Sequence, residues 1–151
     1  MNPRQIAVIT GDLVGSTGHP VETVDSAMQS IRSAAATVGG WQTPPRDARF
    51  TRFRGDGWQI YLGQPALSLR AAMFVAATLR SGEFGMTTRL SIAIGRAENL
   101  GSRDLSDAAG PAFQQSGREL DKMPKTARIS LAGTAVTDRD GQHVIAVVVQ
   151  V

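Results

Sequence analysis

Cysteine is absent from the 151-residue chain, so disulfides and thiolate metal sites are excluded. Histidine occurs only twice. His19 sits just before a helix pattern and reads as a cap, and His143 reads as a surface residue. With His19 read as a cap rather than as a base for Ser16 or Thr17, hydrolase chemistry built on either hydroxyl is not expected. Long apolar runs are missing as well. The opening segment MNPRQIAVIT is too short in apolar residues for a signal peptide. The longest run, VIAVVV at 144–149, falls far short of a membrane span. A cytoplasmic location with no membrane partner is expected. There is no repeat, low-complexity tract or linker, which leaves one domain over 1–151.

What is present suits a globular chain with a proper core: 42% hydrophobic and 19% charged residues. The net charge is +3. Only Lys122 and Lys125 are lysine, so the basic side is almost entirely arginine. Arginine holds phosphate with a planar fork, although a solvated arginine-rich surface gives the same count. Arg49, Arg52 and Arg54 crowd one stretch. They lack the interleaved exposed aromatics of a single-strand binder, and nucleic acid is not an expected partner.

The periodicities give an element order. RQIAVIT (4–10) is β-rich and stops at Gly11-Asp12, which predicts a first strand ending there. Val21, Val24, Met28, Ile31, Ala35 and Val38 recur every three to four residues and predict a helix. Pro20 suits its start and Gly39-Gly40 its end. DARFTRFR (47–54) and WQIYLG (58–63) read as a hairpin around Gly55-Asp56-Gly57. Leu67, Ala71, Phe74, Val75 and Leu79 mark a second helix, and TRLSIAIGRA (88–97) a strand. After a loop, 108–120 reads as a third helix weakened by Gly117. TARISLAG and HVIAVVVQV are closing strands, with a turn at 138–142. The order β-α-β-β-α-β-α-β-β starts as a ferredoxin-like split βαβ.

In that topology the first strand is expected beside the strand that follows the first helix, with its end near the hairpin turn. Asp12 and Asp56 would then meet at one sheet edge. Two nearby carboxylates repel unless a cation lies between them, and Mg²⁺ favours one or two carboxylates plus phosphate oxygens. The plain alternative is that Gly-Asp-Gly is simply a good hairpin turn. Trp58 and Tyr61 should point to opposite faces of their strand, and Trp41 should cover a core edge or a chain–chain contact.

Three segments, GDLVGST (11–17), RFRGDGW (52–58) and GPAFQQSGREL (110–120), together resemble the class III nucleotidyl cyclase domain. Asp12 to Thr17 match that family's D-I-x-G-F-[ST] pattern, with Ser16 in place of Phe. Gly55-Asp56 match its hairpin, and Gly110, Gln114 and Arg118 match its G-x-x-x-N-x-x-x-R helix, with Gln114 in place of Asn. TRLSIAIGRA is similar to its R-I-G-I-x-x-G strand. The short length and the GPAFQQSGRE wording look closest to small SatD-like relatives.

The resemblance implies an α+β, ferredoxin-like (βαββαβ) palm domain with an added helix and C-terminal strands. It implies Mg²⁺ or Mn²⁺ on Asp12, Asp56 and the Leu13 carbonyl, and a nucleoside triphosphate as substrate. The amides of Gly15, Ser16 and Thr17 would cradle a phosphate. Arg118 would stabilise the transferring phosphate, Gln114 would orient the ribose, Arg52 would read the base and Lys125 would reach a phosphate. The site would form between two chains of a homodimer. Gln114 and Arg52 depart from the family's Asn and Lys. That leaves open a catalytically inactive nucleotide- or metal-binding regulatory module of the same fold.

Overall fold

The computed structural model of the chain describes residues 4–53, 55–132 and 149–150. Its strands are β1 (Gln5–Val14), β2 (Thr51–Phe53), β3 (Gly57–Leu62), β4 (Thr87–Arg96), β5 (Ala127–Ala132) and β6 (Val149–Gln150). They form one sheet in the order β2-β3-β1-β4-β5-β6. The helices are α1 (Val21–Gly40), α2 (Ser68–Ser81) and α3 (Pro111–Lys122). β1 to β4 pair antiparallel, as a split βαβ requires, and β5 joins β4 in parallel. A parallel pair needs a crossover, and α3 supplies it. This is the expected α+β, ferredoxin-like sheet with an added helix and C-terminal strands.

Side-chain alternation along β1 sorts two cores. Ala7, Ile9 and Leu13 pack with Met28, Ile31 and Val38 of α1 and Val75 and Leu79 of α2. Ile6 and Val8 point the other way, to Tyr61, Leu105 and the start of α3 at Ala112 and Phe113. Trp58 belongs to the first core and Tyr61 to the second, on opposite faces as their spacing predicts. Trp41 covers a core edge: its ring meets Phe74 edge-on at 5.0 Å, and the Arg70 guanidinium lies 4.3 Å above it.

Several expectations are corrected. β1 does not stop at Gly11-Asp12; both residues are paired inside a strand that runs to Val14. Gly11 is needed for a close approach, because a Cβ there would run into the Trp58 indole. β1 is flanked by β3 and β4, not by the strand directly after α1; β2 is displaced to the sheet edge. The expected strand at 47–54 shrinks to Thr51–Phe53. Arg49 has a positive φ of 52°, which turns the chain. Its guanidinium crosses the Tyr61 ring to donate to the Leu100 carbonyl at 2.7 Å. Val21, expected on the apolar stripe of α1, is exposed in the first helical turn. α3 runs unbroken through Gly117. The turn expected at 138–142, His143, and residues 143–148 of the closing strand lie outside the described residues.

Candidate functional site

β1 is the scaffold of the site, because it is central and paired on both sides along most of its length. Asp12 stands opposite Gly57 of β3 and opposite Arg89 of β4. Its carboxylate is gripped by Arg89 in a two-pronged contact, Nε to Oδ1 at 3.2 Å and Nη2 to Oδ2 at 2.8 Å. Such fork–carboxylate pairs are among the stronger charge-assisted hydrogen bonds. The hydrogen bond to Asp12 raises the Arg89 pKa above its ordinary value. Burial opposes the rise, and the charges of Asp12 and Asp121 add to it. The Asp12 main chain is fixed too: Thr88 Oγ1 donates to its carbonyl at 2.7 Å, and Trp58 Nε1 donates to Thr88 Oγ1 at 3.1 Å.

Asp56 reaches the same edge through the hairpin turn. Gly55 takes a positive φ of 75°, which lets the chain reverse in few residues. The Leu13 amide donates to the Asp56 carbonyl at 2.9 Å. The Ser16 hydroxyl donates to Asp56 Oδ2 at 3.1 Å. The turn is thereby held against Leu13 and Ser16, in the segment just after Asp12. Gly15, with φ 87°, leads into a short helical turn at Ser16–Gly18, and Thr17 is exposed. The first amides of such a turn have no partner within it.

The other expected residues are placed apart. Arg52 donates through Nη1 to Asp25 Oδ1 of α1 at 2.7 Å and through Nε to the Gly55 carbonyl at 2.6 Å. Gln114 and Arg118 lie on one exposed face of α3, while Ala112, Phe113, Ser116 and Leu120 form its buried face. Lys125 is exposed between α3 and β5. Among the described residues, the side chains of Gln114, Arg118 and Lys125 make no ion pair with Asp12 or Asp56.

Sequence reasoning missed the groups that fix this geometry. Arg89 stands at the Arg of the R-I-G-I-x-x-G resemblance, but nothing in the sequence pairs it with Asp12. A polar seam also joins α3 to the sheet: Thr10 Oγ1 and Ser116 Oγ lie 2.7 Å apart, and Gln59 Nε2 donates to Thr10 Oγ1 at 2.8 Å. Ser91 Oγ closes on the Ser116 carbonyl. The available signal was two-residue alternation, Thr10 with Asp12 and Arg89 with Ser91, on strands that otherwise read as apolar. Thr10→Val removes one hydroxyl without changing shape and leaves Gln59 and Ser116 short of a partner. It is expected to cost about 1–2 kcal/mol, measured as a lowered midpoint in urea with an unchanged slope.

The groups here that could hold a metal are all oxygen donors, the Asp12 and Asp56 carboxylates, the Leu13 carbonyl and the Ser16 hydroxyl, with both Asp12 oxygens engaged by Arg89. Oxygen donors fit hard cations such as Mg²⁺ or Mn²⁺ rather than thiophilic ones. No third carboxylate or histidine completes a metal cluster among the described residues. None of their helices is long and apolar enough to cross a membrane.

No protein-family model matches the sequence, and no curated protein matches it. Solved structures do match. A bacterial light-regulated adenylyl cyclase aligns with a TM-score of 0.61 at 14% identity, over 87% of this chain and 77% of that one. The adenylate/guanylate cyclase/hydrolase from Silicibacter pomeroyi gives 0.58 at 18% identity, over 87% and 76%. The guanylyl cyclase Cya2 gives 0.53 at 19%, over 86% and 75%. At these identities the likeness is one of fold: the chain has the fold of nucleotidyl cyclase domains.

Proposed function

We propose that this chain is a nucleotidyl cyclase-like or nucleotidyltransferase-like domain that binds a nucleoside triphosphate at Asp12 and Asp56. The observation that carries the reading is the joint between the hairpin turn and β1. The Leu13–Asp56 and Ser16–Asp56 hydrogen bonds bring the turn carboxylate to the strand that bears Asp12. The Leu13 bond continues the β1–β3 ladder by one rung, and the Ser16 bond to the Asp56 carboxylate is the part that a plain hairpin turn does not need. Mg²⁺ or Mn²⁺ held by Asp12, Asp56 and the Leu13 carbonyl would supply Lewis acidity toward phosphate oxygens and a ribose hydroxyl.

The remaining tasks fall to the chain's own groups. The Gly15, Ser16 and Thr17 amides donate to a phosphate. Arg118 opposes charge on the transferring phosphate, Gln114 orients the ribose, and Lys125 adds a phosphate contact. Gln114 and Arg118 turn away from their own sheet, which favours action on a second copy and hence a homodimer. Arg52 reads the base after exchanging Asp25 for it. The SatD-like resemblance of GPAFQQSGRE and a cytoplasmic setting belong to the same proposal. One observation favours the second reading, a binding module without turnover: Arg52 is already engaged by Asp25 and Gly55.

Calorimetric titration of non-hydrolysable triphosphate analogues with Mn²⁺ tests the core claim. Wild type is expected to bind in the micromolar range, and Asp56→Ala is expected to lose binding while keeping its melting temperature within a few degrees. A folded wild type that binds no triphosphate with either metal ends the nucleotide reading.

A further inference from the structure

Asp12 already has a cation. Its partner is the guanidinium of Arg89, delivered from the directly opposite position of β4, and both carboxylate oxygens are taken. The pair is mostly shielded, with side-chain exposures of 22% for Arg89 and 26% for Asp12. This sets it apart from the other ion pair among the described residues, Arg52–Asp25, whose exposures are 32% and 54%. A shielded, two-pronged pair is screened less by water and salt than a surface pair. The register also leaves little choice: ten consecutive residue pairs tie β1 to β4, so Arg89 cannot drift away from Asp12 as a loop residue could.

Asp56 is in a different state. Its carboxylate receives one neutral hydroxyl, from Ser16, and no cationic side chain among the described residues. Among the described residues the two carboxylates that would share a metal are thus unequal: Asp12 is gripped by a guanidinium, and Asp56 receives the Ser16 hydroxyl. A divalent cation approaching Asp56 gains a full carboxylate, but at Asp12 it must compete with a tethered guanidinium. Asp121, at the end of α3, acts on the same guanidinium through its charge.

We propose that Arg89 is a built-in competitor for divalent metal at Asp12, so that loading the site requires Arg89 to release that carboxylate. This rests on the reading above that Asp12 and Asp56 hold the metal. The consequence is a site whose metal affinity is held down by one arginine. Asp12 carries no uncompensated charge before the metal arrives. Any ligand that draws the guanidinium off Asp12, such as a phosphate oxygen arriving with its own metal, would load metal and nucleotide together rather than in sequence. A fork-shaped guanidinium is suited to exchange one anion for another in this way.

The test is Mn²⁺ binding to the full chain without nucleotide, followed by electron paramagnetic resonance of free Mn²⁺, for wild type, Arg89→Gln, Arg89→Lys and Arg89→Gln/Asp12→Asn. Arg89→Gln is expected to bind Mn²⁺ about tenfold more tightly, the effect of relieving roughly one pK-unit-sized interaction. Arg89→Lys, a point charge without the fork, should fall between the two and guards against misfolding of the glutamine variant. The double variant should lose the gain. Equal affinity in wild type and Arg89→Gln, with both folded, overturns the proposal and leaves the metal reading intact. Weaker binding in Arg89→Gln also overturns it and makes Arg89 a positioning group for Asp12. If no variant binds Mn²⁺ while each melts cooperatively, the metal reading itself fails and the competitor role falls with it.

Discussion

Mixing Asp56→Ala chains with Arg118→Ala chains is expected to restore triphosphate turnover that neither variant shows alone. The reasoning starts from the faces of α3. Ser116 and Leu120 bury one side of the helix, and Ser116 is pinned to Thr10 and Ser91 of the sheet. Gln114 and Arg118 are therefore held outward, one turn apart. A group that meets charge on a transferring phosphate must touch it, and in the proposed homodimer that phosphate lies on the second copy. Loss of one such donor costs about 10²–10³-fold in turnover, and loss of Asp56 should cost at least as much. In a two-fold dimer with two shared sites, random exchange makes half the dimers mixed. Each mixed dimer has one intact site and one doubly damaged site, so about a quarter of wild-type sites return. Activity is measured with each variant alone, then after mixing under conditions that allow exchange. Variants that dimerise, exchange and stay silent would show that α3 does not complete the site of a partner.

The parts of this arrangement that were legible in the sequence are local ones. Gly55-Asp56-Gly57 announces a turn because glycine supplies the conformation the reversal needs, and the observed φ at Gly55 agrees. The spacing of Gln114 and Arg118 fixes a shared helix face whatever the rest of the fold does. The split βαβ order also follows from the succession of two-residue and helical periods. What could not be read is what register decides. Arg89 meets Asp12 across a sequence separation of 77 residues, and the strand motif that contains Arg89 says nothing of which carboxylate it faces. Gly11 looks like the end of a strand by propensity, but the Trp58 ring placed against it by the β1–β3 pairing makes it a strand residue. The order of β2 and β3 about β1 is likewise a matter of tertiary pairing. Either strand could have been the neighbour on composition, and the short, irregular β2 went to the edge.

Trp58→Ala is expected to have the largest stability effect among single core substitutions, and to weaken the candidate site as well. Trp58 is fully buried and is the largest such side chain described. Its ring fills the space that Gly11 leaves open in β1, so the cavity would form directly against the strand that carries Asp12. Truncating a buried aromatic to alanine costs about 3–5 kcal/mol. For a chain of this size that lowers the melting temperature by roughly 10–20 °C. A second effect separates Trp58 from an ordinary core residue. Its Nε1 donates to Thr88, whose hydroxyl in turn holds the Asp12 carbonyl. Trp58→Phe keeps an aromatic ring in the core and removes the donor together with part of the ring volume, so its stability loss should be the smaller, about 1–2 kcal/mol. If the Trp58–Thr88–Asp12 chain positions the carboxylate, Trp58→Phe should still weaken Mn²⁺ binding at a temperature where the protein is fully folded. A Phe variant that is destabilised yet binds Mn²⁺ like wild type would confine Trp58 to packing and leave Asp12 placed by its strand pairing and Arg89 alone.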